Sequence, residues 1–314
     1  MKDFYHPLQS SELMKQSYNS EPLKVIKTKN SFISIFSTMG NNIDTNVVET
    51  FGEEWLKFKD YSDEEICSAG GMYFDILDES VLNENTYALD IGCGTGRWTK
   101  FLAQKIGFIE AIDPSDAVFA ADYLLKDVKN VRITKASVET IPFADETFDF
   151  AMSIGVLHHI PNTQKAMIDC VKKVKKNGYF FCYLYYNLEN KSYISKTLYW
   201  LSNAIRLIVS RLPAGIKRFA CDALAVIFYI PFVFTFRLLN FAGLKNLAEK
   251  LPLSDYGDKS FFIIRNDSLD RFGTRLEHRF SKQQVIELME KSGLANIVVS
   301  PGSPYYHAIG QKKG

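Results

Sequence analysis

Residues 88–102 read ALDIGCGTGRWTKFL. An apolar run ends in the acid Asp90, glycines stand at alternate positions (Gly92, Gly94, Gly96), and a helical pattern begins at Arg97. A strand that ends in glycines before a helix puts backbone N–H groups and a helix N-terminus at the carboxyl edge of a sheet, where open α/β folds bind ligands. Without Cβ atoms, such a turn admits close approach to the main chain. The dinucleotide fingerprint G-x-G-x-x-G would need glycine where this chain has Arg97. The spacing found here suits a nucleoside with a compact amino-acid tail better than a pyrophosphate.

Outward from that stretch, short apolar runs alternate with helical ones. YALDI (87–91), FIEAID (108–113), NVRIT (130–134), FDFAMSI (148–154) and GYFFCYLYY (178–186) read as buried parallel strands. GRWTKFLAQKI, SDAVFAADYLLKDV and NTQKAMIDCVKKVKK between them have helical spacing. SKQQVIELMEKSGL reads as a closing helix, and ANIVVSP and YYHAIGQKK follow with no helix between them, as an antiparallel pair at the sheet's edge. The expectation is a doubly wound, seven-stranded, mostly parallel Rossmann-like α/β sheet with an antiparallel edge strand and a helical insertion between strands five and six. The expected organisation is a loose N-terminal arm (1–46), a helical cap (47–86), the Rossmann-like domain (87–189 with 277–314) and the insertion (190–276).

The bulk numbers agree with a globular chain: 314 residues, 46% hydrophobic and 23% charged. A net charge of +1 gives no basic field for nucleic acid, and no Asn/Asp-Pro-Pro-aromatic turn follows the fourth strand, so no nucleic-acid partner is expected. The five cysteines form no CxxC or Cys/His cluster, so neither structural zinc nor a disulfide framework is expected, and no metal. MKDFYHPLQSSELMK lacks an apolar signal core, and the expected location is cytoplasmic.

ALDIGCGTG resembles the first motif of class I S-adenosylmethionine-dependent methyltransferases. The later landmarks follow in that family's order: IEAIDPS, then ASVETIPFADETFDFAMSIGVLHHI, then VKKVKKNGYFFCYLYY. The resemblance runs from about Tyr87 to Tyr186 and is closest to bacterial small-molecule methyltransferases. It implies S-adenosylmethionine as cofactor and S-adenosylhomocysteine as product. It implies Gly92, Gly94 and Gly96 around the methionine end, and Asp90 ordering the turn and reaching the amino group. Asp113 would take the ribose hydroxyls, a role shared with or rivalled by capping of the next helix. Pro114, Ser137, Val138 and Ile154 complete the cofactor set. Many relatives carry an acid where this chain has Ser137, whose hydroxyl is the weaker acceptor, with Glu139 nearby.

His158 and His159 follow the fourth strand at the rim, and with His278 they are candidates for a base or for positioning the acceptor. The alternative is that they brace the turn before Pro161. Tyr185 and Tyr186 end the fifth strand, and alternation points them opposite ways. Phe51, Trp55 and Phe58 share one helical face, either as an aromatic lid or as packing. Arg275, within an arginine-rich run from Arg265 to Arg279, is the candidate anion contact for the acceptor.

In the insertion, Ala220–Phe236 is almost wholly apolar, yet shorter than the ~20 residues of a spanning helix. It reads as a cap on the acceptor side, with a homodimer contact or a peripheral membrane contact through 199–241 as the other uses. The expected function is methyl transfer to O or N of a small or carrier-borne metabolite. The alternatives are a membrane-surface lipid or glycolipid methyltransferase and a non-catalytic cofactor-binding subunit.

Overall fold

The computed structural model describes residues 15–57, 60–78, 80–189, 193–251 and 253–314. Two units emerge, one of residues 1–189 with 276–314 and one of residues 190–275.

The first unit is built on a nine-stranded sheet: β1 (Lys24–Lys27), β2 (Phe32–Ile35), β3 (Tyr87–Ile91), β4 (Phe108–Asp113), β5 (Val131–Lys135), β6 (Phe148–Ile154), β7 (Val174–Tyr183), β8 (Leu294–Val299) and β9 (His307–Lys312). Their order is β1-β2-β5-β4-β3-β6-β7-β9-β8. The strands from β2 to β7 pair in parallel, and β9 is antiparallel to both β7 and β8. The chain runs outward from β3 through β4 to β5, then returns to place β6 on the other side of β3. This reversal opens a crevice beyond the carboxyl ends of β3 and β6.

The count of seven is therefore short by two. Residues 24–35 form an antiparallel hairpin whose second strand pairs with Thr134 and Lys135 of β5. Its turn is closed by the Thr28 N–H donating to the Ser31 carbonyl at 3.0 Å. The antiparallel pair expected at the sheet's edge is present: β9 pairs antiparallel with β7, and β8 lies outermost along β9. Seven Rossmann-like strands remain within the nine.

Among the described residues six helices flank the sheet: α1 (Thr45–Lys57), α2 (Asp63–Tyr73), α3 (Arg97–Ala103), α4 (Ala117–Leu124), α5 (Thr163–Lys173) and the closing helix Lys282–Lys291 that the sequence pattern places there. A Ser62–Glu65 capping box starts α2, and Asn162 caps α5 by accepting the Lys165 N–H at 2.9 Å. The core on one face centres on Leu89, Ile112, Phe148, Phe180 and Met167, and on the other on Ile109, Phe150, Phe181 and Leu102. A buried Glu110 on β4 is held by Arg132 Nε and Nη2 (2.8 and 2.7 Å) and by the Tyr87 hydroxyl (2.7 Å), which satisfies the charge inside the sheet.

The second unit is helical. After α6 (Tyr193–Val209), α7 (Ala214–Leu224), a π turn (Ala225–Tyr229) and α8 (Ile230–Phe241) run on as one long helix, of which Gly215–Phe241 are 27 predominantly apolar residues. By length and composition alone it could cross a membrane. Short α9 (Lys245–Ala248) and then α10 (Phe261–Gly273) follow. Cys221, Ala225, Tyr229 and Val233 are buried along one stripe, with Ile264 and Phe272 of α10 buried in the same unit.

Candidate functional site

The turn after β3 shows why three glycines are needed. Gly92, Gly94 and Gly96 have φ of 78°, 54° and 81°, in the left-handed region that side chains disfavour. A Cβ on Gly92 would lie 2.4 Å from a Val156 methyl, and one on Gly96 would lie 2.7 Å from Leu125. At Gly94 the nearest neighbour would be Trp55 Nε1 at 3.4 Å, so this glycine opens onto α1 across a cleft. The cleft encloses about 1010 Å³, its open mouth included.

Gly92 and Gly94 form the floor of this cleft, and Asp113 and Pro114 at the end of β4 form one wall. Ser137 and Val138 after β5 and Ile154 at the end of β6 continue the wall, His159 stands at the rim, and Phe51 and Trp55 close over it from α1. Gly52 lets α1 come this near, since a Cβ there would be 3.0 Å from Ser115 Cβ. The Phe51 and Trp55 rings lie parallel at 6.4 Å, and the Arg97 guanidinium sits 5.5 Å from the Trp55 ring. Phe58 falls outside the described residues.

Asp113 is buried and its carboxylate organises the floor. One oxygen accepts the Gly94 N–H at 3.0 Å, and the other accepts the Ser115 N–H at 2.8 Å and hydroxyl at 2.6 Å. The group that holds the turn thus also lines the cleft. Burial raises its pKa, opposed by the Ser115 and Gly94 hydrogen bonds. Asp90 lies beneath the turn and off the cleft wall, accepting the Thr99 hydroxyl at 2.5 Å. Burial pushes its carboxyl up to about 7, with the nearby Asp113 charge adding and the Thr99 bond opposing. Gly96 is also below the wall, where it leads into α3. Cys93 is buried within the turn and burial pushes its thiol up, so it behaves as a small filler.

On the adenine side of the family pattern, the Ser137 hydroxyl lies 3.0 Å from the Thr140 hydroxyl in a cap of its own short turn. Glu139 is held by Lys165 and by the Asn42 N–H at 2.9 Å. Asn42 in turn bonds Asn162 reciprocally, its amide donating to the Asn162 carbonyl (2.9 Å) and its side-chain oxygen accepting the Asn162 N–H (2.7 Å). These bonds draw residues 42–44 across the cleft, where Asn42, Ile43 and Asp44 join its lining. Sequence reasoning missed them, having assigned 1–46 to a loose arm. The available signal was the Asp44–Val47 start of α1, where the Asp44 carboxylate accepts the Val47 N–H at 3.2 Å.

The three histidines separate. His159 Nδ1 is 2.7 Å from the Leu276 carbonyl, which can only accept. The proton therefore sits on Nδ1 and Nε2 carries the lone pair. His158 is fully buried behind it and stacks on Tyr185 with ring centroids 3.9 Å apart. Burial, and then the neighbouring His159, hold His158 well below its ordinary range, so it is neutral. His278 supports the pair through its backbone, its N–H donating to the His158 carbonyl at 2.9 Å.

Tyr185 packs against the histidine pair and Tyr186 points the other way, onto Tyr305 and Tyr306 at 5.5 and 5.9 Å, so alternation splits them. Arg275 is exposed in the helical unit, and its carbonyl accepts Arg206 Nη1 at 3.1 Å. The other arginines of that run are spent on internal partners: Arg265 on Asp222, Arg271 on the Ser202 hydroxyl, Arg279 on Glu277.

Against known proteins, residues 89–182 match the family described as the methyltransferase domain. Over these residues the chain resembles a methyltransferase domain. A sterol 4-C-methyltransferase of Caenorhabditis elegans is 31% identical over 182 residues, which cover 54% of this chain and 52% of the relative. A demethylmenaquinone methyltransferase of Alkalihalophilus pseudofirmus is 29% identical over 115 residues, covering 34% and 48% respectively. The chain spans about half the length of these curated relatives. Among solved structures, a SAM-dependent methyltransferase from Thermotoga maritima superposes with a TM-score of 0.44 at 17% identity, covering 83% of this chain and 94% of that one.

Proposed function

We propose that this chain transfers a methyl group from S-adenosylmethionine to an oxygen or nitrogen of a small or carrier-borne acceptor. The observation that carries the reading is the glycine floor locked to Asp113: Gly94, with its left-handed φ, donates its N–H to a buried carboxylate at 3.0 Å on the wall of a large cleft. The residues present fit the cofactor. Gly92 and Gly94 leave space over the main chain for a compact amino-acid tail, and Asp113 keeps a lone pair for a ribose hydroxyl, on the oxygen that accepts only the Gly94 N–H. Pro114, Val138 and Ile154 give the apolar walls a purine needs. When bound, S-adenosylmethionine supplies an electrophilic methyl group on a sulfonium that leaves readily.

The rest of the work is positioning, exclusion of water and proton removal. Phe51 and Trp55 shield the cleft. His159, with its proton held on Nδ1 by the Leu276 carbonyl, offers Nε2 to a hydroxyl or ammonium proton of the acceptor. His158 keeps its neighbour's ring in place by packing, since its own pKa is driven too low for it to hold a proton near neutrality.

A second reading makes the acceptor lipophilic. Two relatives are named for a sterol and for demethylmenaquinone, and the helical unit exposes much apolar surface. Calorimetric titration with S-adenosylmethionine and S-adenosylhomocysteine, followed by transfer of labelled methyl to a panel of polar and lipophilic acceptors, tests both. Absence of binding refutes the cofactor assignment. Binding without product across the panel favours a non-catalytic subunit.

A further inference from the structure

We infer that the helical unit, residues 190–275, seats on an anionic lipid bilayer with its long helix lying in the interfacial plane. The first observation is how little of that helix the protein covers. Only 28% of its most apolar stretch is buried, where the core helix of a soluble domain would be mostly buried. Ile216, Phe219, Ile227, Phe234, Leu238 and Phe241 recur along one side and are all exposed, Phe219 at 76% and Phe241 at 92%. Trp200 and Ile208 on α6 are also exposed, at 75% and 70%. So many large apolar side chains left exposed on one helix are rare unless something covers them.

The second observation is charge, which selects the occupant. Residues 193–251 carry eight Lys and Arg against two acids, Asp222 and Glu249, in a chain whose net charge is +1. Asp222 is already bound by Arg265, at 2.8 and 2.7 Å. A second copy of the chain would bring this cationic surface against itself. A bilayer with anionic headgroups neutralises it, and basic side chains beside an apolar stripe are the pattern of interfacial helices.

The third observation argues against spanning. The side opposite the exposed stripe packs within the unit and carries Asp222, ion-paired to Arg265 of α10, which is FFIIRNDSLDRFG. Arg237 Nε donates to the Gly257 carbonyl at 2.8 Å. Drawing the helix through hydrocarbon would take these charges with it or strip them of partners. Lying flat, the stripe enters the headgroup–acyl boundary while the polar side stays wet.

Vesicle binding needs neither cofactor nor acceptor, so this inference stands or falls apart from methyl transfer. The full chain is sedimented with vesicles of phosphatidylcholine alone and of phosphatidylcholine mixed with phosphatidylglycerol. Binding is expected to be about tenfold or more tighter on the mixed vesicles, to weaken about fivefold for each base removed (Arg211→Gln, Lys245→Gln), and to fall with added salt. Phe219→Asp with Phe234→Asp should abolish it. Both positions are exposed, so the thermal midpoint should be unchanged, and circular dichroism checks that the variant is folded. Equal sedimentation without vesicles, indifference to the Phe219 and Phe234 substitutions, or release from vesicles by detergent alone and not by alkaline carbonate each overturns it. So does a vesicle-indifferent dimer that the same substitutions dissociate.

Discussion

Alanine at Gly92 and at Gly94 should have different consequences, although both glycines have positive φ. At either position the left-handed backbone costs a side chain about 1–2 kcal/mol. At Gly92 the new Cβ would also lie 2.4 and 2.8 Å from the two Val156 methyls, an overlap worth about 1–3 kcal/mol more. Gly92→Ala is thus expected to lose about 2–5 kcal/mol of folding stability, by the sum of those two effects. Gly94→Ala meets Trp55 only at ordinary contact distance and should lose about 1–2 kcal/mol, the backbone part alone. Its methyl, however, projects into the cleft between the floor and α1, so it should depress cofactor affinity out of proportion to stability. Urea unfolding followed by tryptophan fluorescence reads the first effect, since Trp98 is buried and Trp55 stands over Gly94. Calorimetric titration reads the second. Val156→Ala in the Gly92→Ala background should recover the overlap but not the backbone strain, giving a coupling of about 1–3 kcal/mol. Equal stability losses at the two glycines, or no recovery with Val156→Ala, would show that the steric reasoning is wrong.

Asp113→Asn removes a charged acceptor from the Gly94 N–H and the Ser115 hydroxyl, and should weaken S-adenosylmethionine binding by about tenfold or more, the loss of one charge-assisted bond. An unchanged dissociation constant in the titration would remove Asp113 from the site. His159→Gln should lower turnover while cofactor affinity holds; a turnover rate equal to wild type would exclude it as the base. Asp90, raised to about 7 in the folded chain from 3.8, binds an extra proton relative to the unfolded chain between those values. Stability should therefore fall as pH rises across that window, by up to about 1.4 kcal/mol per pH unit, and Asp90→Asn should flatten the slope in denaturation at a series of pH values. His158 titrates in the opposite sense. Its folded pKa lies below 6.5, so the stability it contributes is present above 6.5 and lost as pH falls, and His158→Phe should blunt that acid loss.

What the sequence disclosed tracks how strongly burial writes itself into residue pattern. β3, β4 and β6 are covered on both faces, and YALDI, FIEAID and FDFAMSI are correspondingly apolar, so their places were legible. KVIK is an edge strand and FISI its inner neighbour; Ile33 alone of their residues is fully buried, and both are flanked by polar turns. Their strand character depends on pairing with β5, about a hundred residues away, which no local window contains. The same holds within the site. Gly92, Gly94 and Asp113 announced themselves by spacing, because backbone conformation dictates them. Asn42 gave no signal, because its role lies in contacts with Glu139 and Asn162. The adjacent His158 and His159 could not be told apart by position; only the carbonyl of Leu276 and the ring of Tyr185 separate them. The arginines from Arg265 to Arg279 looked like a cluster in one dimension, yet Arg265, Arg271 and Arg279 each hold a partner of their own.

The π turn at Ala225–Tyr229 acts as a vernier. Cys221, Ala225, Tyr229 and Val233 repeat every four residues, and in a uniform α-helix each such step overshoots a full turn by about 40°, enough to wind the seam around the cylinder. One wider turn absorbs that excess and keeps both seams straight along the rod. Removing a single residue such as Ile227 from the wide turn should thus be benign, letting it tighten to ordinary pitch with everything downstream still aligned. Removing one between Ile230 and Phe234 instead swings Phe234, Leu238 and Phe241 by about 100°, and the rod no longer has two continuous sides.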